Sequence, residues 1–285
     1  YRRVRNTIRF LLANLNGFNP ETDMVEFKDM VELDKWAVSL AYNTQQELIK
    51  CYDDYDFHKV VQILMNFCSI ELGSFYLDII KDRQYTAKDN SAARRSCQTA
   101  LYKIAEALVR WIAPILSFTA QEAWEQIPGK RDEFVFTQFW YDKLEKLDES
   151  SVFNSEFWQR MLTFRNEANK AIETARNNGV IGGSLEAVVN IYTKGQLLED
   201  LRKLENELRF VLITSKAIVS DAEAPADAIK SETLDCAFTV TKSQAKKCER
   251  CWHYEDDVDS DPEYPGLCSR CVENIKTQGE TRHFA

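Results

Sequence analysis

Glycine and proline are scarce here, with 9 and 6 residues in a chain of 285. So few turn-formers argue against a sandwich or barrel and favour long helices joined by few loops. No apolar run reaches membrane-spanning length, because charges interrupt every candidate, so neither a spanning helix nor a membrane partner is expected. A signal peptide is also missing. Tyr1-Arg2-Arg3-Val4-Arg5-Asn6 reads as a helix already under way, and with no initiating Met the expectation is a fragment of something longer. There is no Gly-rich phosphate loop, no G-x-S-x-G elbow and no H-E-x-x-H pair. The carboxylate pairs lie in highly charged runs that single out no general acid and base, and His58 in YDFHKVV reads as a helix-start or packing residue. The residues by themselves therefore assign no catalytic group.

Basic residues are outnumbered, 36 Lys and Arg against 45 Asp and Glu, a net charge of −9. That balance excludes indiscriminate nucleic-acid binding, which needs clustered cations, and no DNA partner is expected. The distribution is uneven, however. The first twenty residues hold Arg2, Arg3, Arg5 and Arg9 and no acid, so a locally basic face on an acidic protein is open. Hydrophobic residues at 45% are enough for a real core, and the length allows two domains or a large one plus a small one.

What is present is mostly helical periodicity. Val4, Ile8, Leu11 and Leu15 make one apolar stripe, with Arg2, Arg5 and Arg9 beside it, and Gly17 and Pro20 end the helix. A second helix is predicted from about Glu32 to Tyr52, burying Leu33, Trp36, Leu40 and Leu48. A third, strongly apolar one runs from about Asp56 to Arg83. After the polar break 86–91 a fourth carries Pro114, which should kink it or split it in two. Four such helices with short loops make a bundle. The aromatic, acidic stretch from about Gly129 to Ser151 reads as a connector. A helix from about Ser155 to Asn177 follows, then the alternating SLEAVVNIYT, the amphipathic helix QLLEDLRKLENELRFVL, and two short strands in KAIVSD and LDCAFTVT, a small α/β module. The predicted domains are 1–150 helical with its connector, 151–243 α/β, and 244–285 cysteine module.

Four of the eight cysteines form that module: Cys248, Cys251, Cys268 and Cys271, two C-x-x-C pairs sixteen residues apart. Each pair points two thiolates at one ion and the loop brings the pairs face to face, a closed four-thiolate site whose expected occupant is one structural Zn. Iron in a similar site or a pair of disulfides are the alternatives. Four thiolates leave no open position for catalysis, and His253 is not expected to be a ligand. So short a module needs the metal to fold. Trp252, Tyr254 and Tyr264 either cover the metal or present a ring to an unpaired base. The acidic loop Glu255–Glu263 is read as a solvated turn facing away from phosphate. The other cysteines, Cys51, Cys68, Cys97 and Cys236, read as packed free thiols, which with no secretion signal places the protein in a reducing cytoplasm. Arg94 and Arg95, like the α-helical stripe before them, are either a solvated face or phosphate contacts.

Five stretches in order, YRRVRNTIRFLLANLNGF, LDKWAV, FYLDIIKDRQY, RRSCQTALYKIAEALVRWIAPILSFTAQEAW and CERCWHY with CSRCVENI, closely resemble isoleucyl-tRNA synthetases of the bacterial type. The resemblance spans essentially the whole chain, including the tail Phe284-Ala285. It implies a mainly α fold: a class I synthetase anticodon-binding bundle, a small α/β junction domain and a zinc knuckle. It implies a monomer that grips the anticodon stem-loop of isoleucine tRNA, beside the catalytic core of its own parent chain. That parent uses ATP and Mg to charge tRNA with isoleucine; its HIGH-like and KMSKS-like motifs and its editing domain are not in this stretch. Arg2, Arg5, Arg9, Arg94, Arg95, Trp252 and Tyr254 are the expected tRNA-binding residues. Where the family often carries a basic residue before VIGGSLEA, this chain has Asn177-Asn178-Gly179, so no phosphate contact is expected at that turn.

Two other functions compete. A helical protein–protein scaffold with a purely structural zinc module fits the acidic charge and apolar helices. Redox activity of the C-x-x-C pairs predicts oxidant-dependent thiol titration and no bound metal.

Overall fold

The computed structural model describes residues 1–285 and contains two compact units. One comprises Tyr1–Gln84 and Asp89–Ser151, the other Tyr85–Lys88 and Val152–Ala285.

The first unit is helical: α1 (Arg2–Asn14), α2 (Glu32–Asp53), α3 (Phe57–Thr86, of which the last two residues belong to the second unit), α4 (Ala92–Ile112) and α5 (Ser117–Trp124). α1 turns Val4, Ile8 and Leu11 inward and its arginines outward, the stripe its spacing predicts. In α2, Leu33, Trp36 and Leu48 are buried and Leu40 is half-buried. Proline at 114 lacks the N–H a continuing helix needs, and the fourth predicted helix is accordingly two, α4 and α5. Ser91 caps α4 by accepting from the Arg94 N–H. Within α3, residues Phe67–Tyr76 widen into a π-helix. A Cβ on Gly73 would lie 2.5 Å from the Cys68 carbonyl oxygen, so this turn requires glycine.

By length and composition α3 is apolar enough to cross a membrane, contrary to the expectation that no helix is. Between Val60 and Ile80 its only charges are Glu71 and Asp78. Half of the apolar window is buried inside the protein, the pattern of a core helix.

A buried ion pair ties α2, α3 and α4 together. Arg83 donates to both Asp34 oxygens at 2.7 and 2.8 Å, and Tyr76 Oη and Ser96 Oγ donate to the same carboxylate at 2.8 and 2.6 Å. Neither Asp34 nor Arg83 is more than 1% exposed. The connector after α5 is irregular but pinned. Gln45 donates to the Tyr141 carbonyl at 2.8 Å, the Leu147 N–H donates to Ser39 Oγ at 3.0 Å, and Arg110 and Arg131 both bind the Glu106 carboxylate.

The second unit opens with α6 (Ser155–Asn177), started by Asn154 accepting from the Phe157 N–H at 2.9 Å. Its sheet has the order β2–β1–β4–β3, from β1 (Ala187–Thr193), β2 (Lys216–Ser220), β3 (Ile229–Lys230) and β4 (Cys236–Lys242). β1 pairs in parallel with β2 and antiparallel with β4, Ile191 opposite Phe238, and β3 pairs antiparallel with β4. Every second residue of β1 is buried, and Phe238 meets Phe164 of α6 with ring centroids 5.9 Å apart. β3 was not expected; two residues carry no periodic signal.

The predicted helix QLLEDLRKLENELRFVL is broken into α7 (Gly195–Lys203) and α8 (Leu208–Leu212), with left-handed backbone at Glu205 (φ 48°). The reason is geometric. Asp200 on α7 is held by Arg160 at 2.7 Å and the Val211 carbonyl on α8 by Arg165 at 2.8 Å. Those two arginines are one and a half turns apart on α6, a rise of about 7 Å, whereas a straight helix would separate residues 200 and 211 by about 16 Å. The cysteine module adds a short hairpin, β5 (Lys246–Lys247) and β6 (Tyr254–Glu255), and α9 (Ser269–Lys276).

Candidate functional site

The first C-x-x-C sits in the β5–β6 turn, where the Cys248 N–H donates to the His253 carbonyl at 2.8 Å and the Trp252 N–H to the Cys248 carbonyl at 3.0 Å. The second opens α9, with Cys268 at its N-cap and Cys271 in its first turn. All four sulfurs lie within 4.8 Å of one another and all four residues are buried. Cys251 Sγ and Cys268 Sγ are 3.7 Å apart. A tetrahedral zinc with Zn–S bonds near 2.3 Å needs sulfur–sulfur edges of about 3.8 Å, so the donor set and spacing fit one structural Zn on four thiolates. Hydrogen bonds from Cys268 and Cys271 lower the Cys251 pKa, while the same sharing with Cys251 raises that of Cys268. His253 is buried with its ring 5.6 Å from Phe210, and it is not in the metal-binding cluster. The scattered cysteines are packed thiols: burial pushes Cys68 and Cys97 up to about 12 and Cys236 to about 11.

Val258 and Leu267 are the hydrophobic side chains packed against the four cysteines. The metal's cover is therefore aliphatic, and the three aromatic residues have other surroundings. Tyr254 is half-buried against the sheet, its N–H donating to Ser215 Oγ at 2.7 Å and its hydroxyl to Glu186 Oε1 at 3.2 Å. Tyr264 lies under the Lys276 ammonium, 4.8 Å from its ring centre. Trp252 alone is presented: it is 59% exposed, with Lys247 Nζ 5.5 Å from the ring. Its backbone is left-handed (φ 66°), a conformation that costs a bulky residue on the order of 1–3 kcal/mol.

The acidic loop is less negative outward than its composition suggests. Glu255 pairs with Arg209, Asp256 with Lys216, Asp259 with Lys246, and Asp261 and Glu263 with Lys276. Asp257 accepts from the Ser269 hydroxyl. These acids cross-link the module and fasten it to the sheet, a role composition alone did not reveal.

The arginines divide into two groups. Arg2, Arg5 and Arg9, with Arg3, are exposed on α1 and make no ion pair. Arg94 is paired with Asp89. Arg95 binds Gly17 O at 3.1 Å, Gln98 Oε1 at 2.7 Å, Asn90 Oδ1 at 2.6 Å and Asp23 at 3.1 Å, so its guanidinium fastens the loop after α1. Sequence reasoning missed the contacts of Glu186, Ser215, Arg209 and Glu207, because none sits in a recognisable motif.

A family model described as "Anticodon-binding domain of tRNA ligase" matches residues 34–191, and one described as "Zinc finger found in FPG and IleRS" matches residues 245–274. Over its whole length the chain is 59% identical to an isoleucine–tRNA ligase of Shewanella piezotolerans, 58% to one of Pseudoalteromonas atlantica and 57% to one of Aeromonas hydrophila. It spans about 30% of the length of each of these relatives. With more than half of its residues matched by the first model, the chain belongs to the anticodon-binding domain family of tRNA ligases.

Proposed function

We propose that this chain is the tRNA-recognition part of an isoleucine–tRNA ligase and grips the anticodon stem-loop of isoleucine tRNA. The observation that carries the reading is Trp252: a strained, exposed ring beside a lysine, on a chain alike over its whole length to isoleucine–tRNA ligases. Unpaired loop bases are recognised by stacking on such rings. The division of labour is a helical part (1–150) with Arg2, Arg5 and Arg9 on phosphates, an α/β junction (151–243), and a zinc module (244–285) carrying Trp252. Tyr254 holds the hairpin in place, and Arg94 would have to leave Asp89 to join the phosphate contacts. The ATP- and Mg-dependent charging chemistry belongs to the catalytic core of the longer protein, a cytoplasmic monomer.

The test is binding of the chain to isoleucine tRNA and to an anticodon-swapped tRNA at 50 and 200 mM salt. Three arginine–phosphate contacts predict roughly a 15- to 40-fold loss of affinity across that range. Equal affinity for both tRNAs would sink the reading. A scaffold function has one observation in its favour, the rings of Phe118 and Phe139, 88% and 90% exposed on the helical unit. It predicts protein partners and no RNA, with no effect of replacing Arg2, Arg5 and Arg9.

A further inference from the structure

We infer that segment 280–285, held by Glu207, is a latch that positions Trp252 for base recognition, so Glu207 and Arg282 are positioning residues for RNA specificity. The inference rests on the RNA-binding reading above. The stretch Glu-Thr-Arg-His-Phe-Ala has no helix or strand of its own to hold it. Here the backbone N–H groups of His283, Phe284 and Ala285 converge on the Glu207 carboxylate at 2.9, 2.9 and 2.7 Å, and Ala285 is 1% exposed. The Arg282 guanidinium lies 3.3 Å from the Phe210 ring centre, donates to Ala285 O at 3.0 Å and pairs with Glu280 at 2.9 Å.

The far side of the latch grips the zinc module. Glu280 Oε1 accepts from Asn274 at 3.1 Å and from Arg270 at 3.2 Å, both on α9, and Arg270 also stands over Phe210 at 5.1 Å. The other edge of that hub is His253, the residue after Trp252. Segment 280–285 thus joins α8 and α9 and, through Phe210, meets the knuckle's His253, and it lies beyond the stretch matched as a zinc finger, which ends at residue 274. Its contacts place the module against Phe210 and reach the metal site only at second hand, through Arg270, whose guanidinium also hydrogen-bonds Cys251. A ring held in place loses less freedom when a base stacks on it, and only a fixed ring distinguishes one loop conformation from another.

The test uses the full chain with two variants, Glu207→Ala and Arg282→Ala. Zinc content, melting temperature and affinity for the two tRNAs are measured. The expected result is one zinc per chain, roughly tenfold weaker binding of isoleucine tRNA, and little change for the swapped tRNA, so discrimination shrinks while salt dependence stays. A merely structural role would weaken both tRNAs alike with a lowered melting temperature. That result, loss of zinc in either variant, or undiminished discrimination in both would overturn the latch. Absence of discrimination in the unaltered chain is a separate outcome: it removes the recognition reading, and the positioning role with it.

Discussion

Replacing Trp252 by glycine separates the two roles open to this ring. The structure sets the expected stability change. The side chain is already 59% in water, so its removal forfeits only the remaining contacts, about 2 kcal/mol of burial. The exposed cation–π contact with Lys247 is worth a further ~0.5 kcal/mol. Against this, glycine accepts the left-handed backbone at φ 66° without strain, which returns on the order of 1 kcal/mol. The net change in stability of the zinc module is therefore a loss of only about 1–2 kcal/mol. A ring that covered the metal would cost about 3–5 kcal/mol when truncated. If the ring stacks on a base, tRNA affinity falls by about 1–3 kcal/mol, roughly 5- to 150-fold, at unchanged zinc content. Zinc retention during a urea titration reads the first quantity, and a filter-binding or fluorescence titration with isoleucine tRNA reads the second. An intact affinity, or a module that releases zinc in much milder urea, refutes the reasoning.

Asp34→Ala strands the Arg83 guanidinium in the core and should cost the helical unit about 3–5 kcal/mol, seen in the urea midpoint by circular dichroism; replacing both partners by Leu and Met should cost clearly less. Glu167, held down at about 2 by hydrogen bonds from Lys170 and Ser231 and from the Glu232 N–H, is depressed relative to an unfolded value near 4.3. Its stabilisation is thus present above about pH 4.3 and fades as pH falls toward 2; a Glu167→Gln variant should show a flatter stability profile over that window. Stripping zinc with a thiol-blocking reagent and chelator should release one metal per chain and abolish amide protection in residues 245–276, a local loss on the order of 10 kcal/mol, while most helical circular dichroism remains. A chain that keeps its protected amides after metal loss would contradict the metal's structural role.

Local signals carried the long helices and the metal ligands. α2 and α6 begin where the sequence places them, and Pro114 divides α4 from α5, because apolar period, capping residue and missing N–H act within a few positions. The four cysteines are legible for the same reason: two C-x-x-C turns set ligand geometry almost by themselves. What the chain did not disclose depends on partners distant in sequence. Arg83 meets Asp34 across 49 residues, Tyr254 meets Glu186 across 68, and Ala285 meets Glu207 across 78. Only the tertiary structure turned an acidic loop into cross-links, broke one predicted helix so that both halves reach α6, and set Tyr254 half-buried against the sheet while leaving Trp252 in solvent. Sequence specifies which groups are available; which of them find a partner, and which are left facing outward, is decided by the packing that brings remote elements together.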